Sequence, residues 1–279
     1  MPPVAPMLAK SVESIPEGYL RGFYNRGRDW LPAVAVLVLA LVAWQEGIRI
    51  FHIERFLLPK PTAIAHNLFS NWNQLWSAGW YTFQEALGGF VIGSSFAILL
   101  SFVVARFKVL GEASMPYAIA ANAIPIIAFA PILNAWFGIG QESKMAVAAI
   151  LCFFPVLINM VRGLTSVPPA SIELMRSYAA SELMIFRRVR LPNSLPYLFS
   201  ALKVASVLAM IGAIVGEYFG GSQQQLGIII KNSASLFQFE LAWAAIVVAC
   251  LLGIGFYLAV SLAEHVLMSW HPSSRRAAG

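Results

Sequence analysis

Charge is what this sequence has least of. Only 11% of its 279 residues are charged, against about 25% in an ordinary soluble domain. Its 13 acids and 19 bases cannot clothe a water-soluble protein of this size, and 59% of the residues are hydrophobic. The two cysteines, Cys152 and Cys250, both sit in apolar runs. A disulfide scaffold or a thiolate metal site is therefore excluded, and both read as free core thiols. The four histidines, His52, His66, His265 and His271, fall in loops or at the ends of apolar runs, and none pairs with another at metal-ligand spacing on one helix. No Gly-Lys pair occurs anywhere, so a Walker phosphate cradle is absent and the chain cannot hydrolyse ATP unaided. No acid pair lies within one apolar run, as a membrane hydrolase or carboxylate proton relay would require. These absences leave an integral membrane protein, consistent with a mean hydropathy of +0.72.

A bilayer core of ~30 Å takes about 20 mainly apolar residues per helix. Six spans are predicted, at 30–48, 82–105, 116–138, 144–161, 197–219 and 241–263, giving an all-α membrane protein. Residues 1–29 carry no cleavable apolar core, and the first run follows Arg21, Arg26 and Arg28, so it reads as an uncleaved span. Within that leading segment Tyr19, Leu20, Phe23 and Tyr24 predict a short interfacial helix. One transmembrane domain then covers 30–270, and 271–279 form a tail.

Placing both termini in the cytoplasm leaves only Arg49, Arg55, Lys60, Lys144 and Lys231 outside and puts the rest of the 19 bases inside. On this reading the net charge of +6 reports topology, and nucleic-acid binding is not needed to explain it. Lys203 is expected to snorkel to the inner interface. Trp30 and Trp270 flank the inner side, while Trp136 and Trp243 fall at outer ends. Trp72, Trp76 and Trp80 stand four apart, one stripe on a helix lying on the outer leaflet or forming a rim that meets a partner. Gly89–Gly93 and Gly212–Gly216 have the small-xxx-small spacing that lets helices approach closely, first within the bundle and second across a dimer. Pro125, Pro131 and Pro155 interrupt spans three and four, where the freed carbonyls need a protein interior or a wet path.

The loop 162–196 is the most informative stretch. Pro168-Pro169 stops the preceding span, Ser171 reads as an N-cap, and Glu173 sits where the helix dipole favours an acid. Ile172, Met175, Ala179, Leu183 and Phe186 recur at three- and four-residue steps, a stripe on one amphipathic helix. Arg187, Arg188 and Arg190 follow, and Leu191-Pro192 ends it. Such a helix outside the bilayer fits a groove in another protein or rests on anionic lipid.

These residues resemble the "EAA" loop of binding-protein-dependent ABC importer permeases, whose pattern runs E-A-A, three residues, G, nine residues, then I-x-L-P. Glu173, Leu191 and Pro192 fit, Val189 is a close substitute, Leu174 and Met175 replace the alanines, and Ala179 replaces the glycine. The resemblance extends to the nitrate/sulfonate/taurine-type branch. Leu57-Leu58-Pro59-Lys60-Pro61 is similar to its "LPSP" entry. Ile124-Pro125, Ala130-Pro131 and Trp136-Phe137-Gly138-Ile139-Gly140 resemble its third span. Phe153-Phe154-Pro155, Asn159 and Gly163-Leu164 resemble its fourth, and Gly216-Glu217 with Gly227 the end of its fifth.

The resemblance implies a type I importer permease fold with both termini cytoplasmic. It implies a second permease subunit, usually an identical copy, two cytoplasmic ATPase subunits that bind the ATP and Mg, and an extracytoplasmic substrate-binding protein. Nucleotide closure of the ATPases then turns the channel outward, a two-state element biased at both ends. The residues it marks for ATPase coupling are Glu173, Met175, Ala179, Leu183, Arg187, Leu191 and Pro192. The branch implies sulfonate- or nitrate-type anions, with heteroaromatic vitamins and pyrimidine precursors among related members; the scarcity of fixed positive charge favours an organic solute.

Polar residues within apolar spans are candidates for the substrate path, because buried amides and hydroxyls need partners. They are Asn122, Asn134, Asn159 and Ser206, with Glu217 and Tyr218 at an outer end; interhelical hydrogen bonding explains each equally. Glu85 and Glu217 read as snorkelling or capping acids at external ends. An ion-coupled secondary transporter is the alternative and would use these acids within the membrane.

Overall fold

A computed structural model describes residues 18–54, 56–107, 117–118, 120–121, 125–222 and 224–268, with side chains from Pro32 onward. Asn122, Ile124, Arg55, Lys108, Trp270 and the tail 271–279 lie outside the described residues, as do the side chains of Tyr19 to Trp30.

The described residues are helical, with no strand among them. They form α1 (Gly18–Ile50), α2 (Pro61–Ser70), α3 (Trp72–Arg106), α4 (Ile126–Phe137), α5 (Gln141–Thr165), α6 (Pro169–Ser177), α7 (Glu182–Ile185), a π-helical turn (Phe186–Arg190), α8 (Leu191–Phe219), α9 (Leu226–Ser235) and α10 (Phe239–Leu267). Two compact units result, 1–62 and 63–279. In the first, α1 is one continuous helix, and Gln45 Nε2 donates to Thr62 Oγ1 at 3.2 Å.

Among the described residues, five segments are long and apolar enough to cross a bilayer: 32–50, α3, α5, 182–219 and α10. The third expected span stands among the described residues as helical residues at 117, 118, 120 and 121 and, after Pro125, as α4, 12 residues and about 18 Å long at 1.5 Å per residue. Pro125, in extended conformation, interrupts that span. Gly138, at φ +79°, ends it, a conformation open to glycine without a Cβ clash. Pro131 and Pro155 do lie inside α4 and α5.

The tryptophan stripe also lands differently. Trp72, Trp76 and Trp80 open α3 itself, a 35-residue helix, rather than a separate interfacial one. All three are substantially exposed, and Trp72 stacks on Trp76 with ring centroids 5.5 Å apart.

The second unit is built around α5, which lies between α3 and α8. A Cβ on Gly89 would meet Ala148 Cβ at 2.4 Å, and one on Gly93 would meet the Ala149 carbonyl oxygen at 2.3 Å. From the other side, a Cβ on Gly212 would meet Ala148 Cα at 2.7 Å, and one on Gly216 would meet Lys144 Cα at 3.2 Å. Both glycine pairs are thus internal packing, the first of their two readings. Ala86, Ala97, Ala148, Cys152, Ala205, Ala209 and Ala213 fill the same core. Small residues let membrane helices gain dispersion contact where burial from lipid supplies little driving force. Cys152 is a buried core thiol whose Sγ donates to Ala205 O at 3.2 Å, whereas Cys250 is exposed on α10.

Two lysines depart from expectation. Lys203 does not snorkel: its Nζ meets Glu264 Oε2 at 2.7 Å, joining α8 to α10. Lys144, counted among the outer bases at the start of a span, is the fourth residue of α5 and fully buried. Its Nζ donates to Ile139 O at 2.8 Å, Ser143 Oγ at 3.1 Å and Asn134 Oδ1 at 3.4 Å.

Candidate functional site

The segment between α5 and α8 is an arm with rigid roots and an open tip. At the roots, Asn193 Nδ2 donates to Gly163 O and Ser166 Oγ, both at 2.9 Å. Gly163 permits that crossing, since a Cβ there would meet Ser194 Cα at 2.8 Å. Ile185 is fully buried, and Phe186 packs edge-on against Phe102 of α3 at 5.4 Å.

The tip is not the single helix that the periodicity predicts. It breaks after Ser177, so Ile172 and Met175 lie on α6 while Leu183 lies on α7. The break is a Schellman turn: Ala180 N donates to Met175 O at 3.1 Å and Ala179 N to Arg176 O at 2.9 Å. Ala179, at φ +56°, takes the left-handed position, which is where the resembling family pattern has glycine. A non-glycine residue there costs about 1–2 kcal/mol from Cβ crowding. Ser181 then caps α7, its side chain accepting from Met184 N at 3.3 Å, and Arg176 bridges to Glu182 at 2.9 Å across the turn.

Two local signals mislead in this segment. Ser171 is not the N-cap, because α6 already starts at Pro169, whose missing N–H suits a first turn. Leu191-Pro192 does not end a helix either: the π-helical turn runs straight into α8. A proline in the first turn of α8 lacks only a donor that a tighter ladder would need.

No residue of α6 is buried. Glu173 is exposed, Leu174 is 58% exposed, Tyr178 77% and Leu183 61%, and Arg187 and Pro192 face outward. Met175 and Leu191 are half-buried. The structure therefore gathers the seven coupling candidates onto one arm, divided between an open tip and an anchored root.

The path candidates do not converge. Asn159 Nδ2 donates to Pro155 O at 2.8 Å, and buried Ser206 donates to Lys203 O at 2.8 Å, so each is tied to its own helix. Asn134 holds Lys144, and Tyr218 lies beneath Lys231 Nζ at 5.6 Å. An apolar cavity of about 460 Å³ opens instead among Phe96 of α3, Phe129 of α4 and Phe153 and Phe154 of α5.

Toward the end remote from the arm, Glu85 and Glu217 are both fully buried, not snorkelling or capping at an interface. Gln225 Nε2 donates to Glu85 Oε1 at 2.6 Å, and Gly227 N donates to Glu217 Oε2 at 2.7 Å. Thr82 Oγ1 accepts from Leu226 N at 3.2 Å. An acid pair that no single apolar run contains is thus assembled across α3 and α8. Sequence reasoning missed Thr82, Lys144, Gln225 and Asn193; the Gly216-Glu217…Gly227 pattern was the available signal. A Cβ on Gly227 would meet Ile214 O at 2.6 Å.

Residues 89–267 match the family described as binding-protein-dependent transport system inner membrane component. The chain belongs to that family: it is the permease subunit of an ABC importer and a multi-pass inner-membrane protein. It is 34% identical over 250 residues to the riboflavin transport system permease protein RibX of Chloroflexus aurantiacus, covering 88% of this chain and 92% of that protein. It is 31% identical over 251 residues to the formylaminopyrimidine transport permease protein ThiX of Halalkalibacterium halodurans, covering 88% and 98%. The taurine transport system permease protein TauC of Escherichia coli is 24% identical over 148 residues, covering 53% and 54%.

Proposed function

We propose that this permease subunit takes its energy through the 162–196 arm, whose tip docks into a groove of a cytoplasmic ATPase subunit that binds ATP and Mg. The observation that carries this reading is the exposed, unburied α6, held at its roots by Asn193 and Ile185. An amphipathic helix on an anchored stalk can transmit displacement, because force on the tip reaches α5 and α8 through short contacts. Glu173 and Arg187 supply the polar rim of that contact, and Met175, Leu174 and Leu183 its apolar centre. Two copies of the chain enclose the path, two ATPases serve them, and an extracytoplasmic binding protein delivers the solute. The arm and both termini face the cytoplasm on this reading.

The solute is a heteroaromatic vitamin or pyrimidine precursor. Two relatives above 30% identity carry riboflavin and formylaminopyrimidine in their names. The phenylalanine-lined cavity also suits a flat ring better than a small anion. The taurine relative supports a sulfonate as the second reading.

Glu173→Lys and deletion of 172–183 are the tests. Each is expected to abolish co-purification of the ATPase from native membrane while the permease still assembles. Retention of the ATPase and of uptake in both variants overturns the coupling reading.

A further inference from the structure

We infer that Glu85 and Glu217 together form a proton-binding site, in which one hydrogen held between the two carboxyl groups ties α3 to α8 beside the start of α9. The two carboxyl groups lie within hydrogen-bonding reach of each other, and carboxyl oxygens can only accept unless one of the two carries a proton. Each carboxyl also has one oxygen with a donor already in place, Gln225 Nε2 for Glu85 and the Gly227 N–H for Glu217. The remaining oxygens, Glu85 Oε2 and Glu217 Oε1, are buried and receive no hydrogen bond from any other described group. Two orphan acceptors on facing carboxyls are both satisfied by a single hydrogen. Leaving them bare is costly in the membrane interior, where water cannot stand in.

The charge balance points the same way. Among the described residues, the only other ionisable group acting on both acids is Lys144 of α5. Its ammonium is committed to Ile139 O, Ser143 Oγ and Asn134 Oδ1 and makes no direct ion pair with either glutamate. A pair holding one proton carries a single negative charge, matched by that single cation. With no proton it carries two charges in contact, against one cation. Alpha9 offers the pair only Gln225 and the Gly227 N–H, because Lys231 lies over Tyr218 instead. The other charges of α8 and α10 do not act on the pair: Lys203 and Glu264 meet each other at 2.7 Å, and neither Glu240 nor His265 is among the groups that bear on either acid. The Thr82 hydroxyl lies within reach of Glu217, yet its one hydrogen is also directed to Ala78 O at 3.0 Å.

The site is separate from the coupling arm, so its test reads protons and stability rather than transport. Infrared difference spectra of the full transporter in lipid nanodiscs, wild type against each variant, are the direct measurement. We expect one protonated-carboxyl C=O band at neutral pH, lost in Glu85→Gln and lost equally in Glu217→Gln. In either variant the new amide donates the missing hydrogen bond, and the surviving acid ionises. A band that persists in one variant assigns the proton to a single residue and overturns the shared site. Absence of the band from the wild type overturns it as well. Thermal unfolding supplies the second measure. The wild type should lose stability as pH rises from neutral into the alkaline range, because removing the proton leaves two carboxylates in contact. Both Gln variants should lose that dependence. Glu85→Ala and Glu217→Ala should be less stable than either Gln variant at neutral pH, and Ala variants as stable as the Gln variants overturn the inference.

Discussion

The bundle around α5 and the arm between α5 and α8 solve opposite problems with the same chain. In the bundle, glycines and alanines bring three helices to backbone contact, and the polar atoms of Glu85, Glu217 and Gln225 are enclosed. In the arm, no residue of α6 is fully buried, and apolar Leu174, Tyr178 and Leu183 face outward. The first region closes on itself. The second leaves apolar side chains open, the surface that the proposed ATPase contact would cover. The contrast teaches that close packing and open apolar surface are placed in different segments, joined at Gly163, Ile185 and Asn193, the short contacts through which the proposed coupling would reach α5 and α8.

Three substitutions, from the largest expected effect to the smallest, break or sharpen that contrast. Gly93→Val should be the most damaging, because a Cβ already falls 2.3 Å from the Ala149 carbonyl oxygen and backbone cannot yield as a flexible side chain does. A loss of about 3 kcal/mol or more is expected, at the upper end of overpacking effects, read as loss of a monodisperse protein after solubilisation. A well-folded Gly93→Val protein would mean that α3 and α5 are less tightly crossed than described.

Ala179→Gly should act in the opposite direction. Glycine adopts φ +56° without Cβ crowding, so the Schellman turn should gain about 1 kcal/mol. Slower hydrogen exchange at the Ala179 and Ala180 amides would register it, and unchanged or faster exchange would argue against a strained turn. Arg176→Ala should do least. Its bridge to Glu182 joins two side chains that are each more than half exposed, and such pairs contribute about 0–1 kcal/mol. A shift in unfolding temperature comparable to that of a core variant would show that the arm is more tightly built than its exposure implies.

Much of this was legible in the residues. Low charge and apolar run length were enough for the membrane class, because the bilayer sets the required helix length independently of the partners inside it. Five of the six expected spans stand as helices of that length among the described residues. The third is represented there by helical residues at 117, 118, 120 and 121 and by α4, whose bounds hydropathy does not report, since it measures apolar content and not where Pro125 precedes a helix or Gly138 ends one. The coupling candidates were legible as a group from Glu173, Leu191 and Pro192 at the family's spacing. Their division into two helices was not: an apolar stripe continues through residues 172–186 whether or not Ala179 turns left-handed in the middle. Glu85 and Glu217 were legible as scarce acids but not as a pair, being separated by more than one hundred residues.

The sequence by itself therefore determined the solvent this protein lives in, its long apolar helices, and the polar segment that stands out between two of them. Each follows from composition and local spacing, which act over one helix at a time. Only the tertiary structure decided that Lys144 is buried rather than at an outer surface, that Lys203 meets Glu264 rather than the interface, and that two distant glutamates share one enclosure. Those outcomes depend on which faces of α3, α5 and α8 meet, and long-range packing sets that choice.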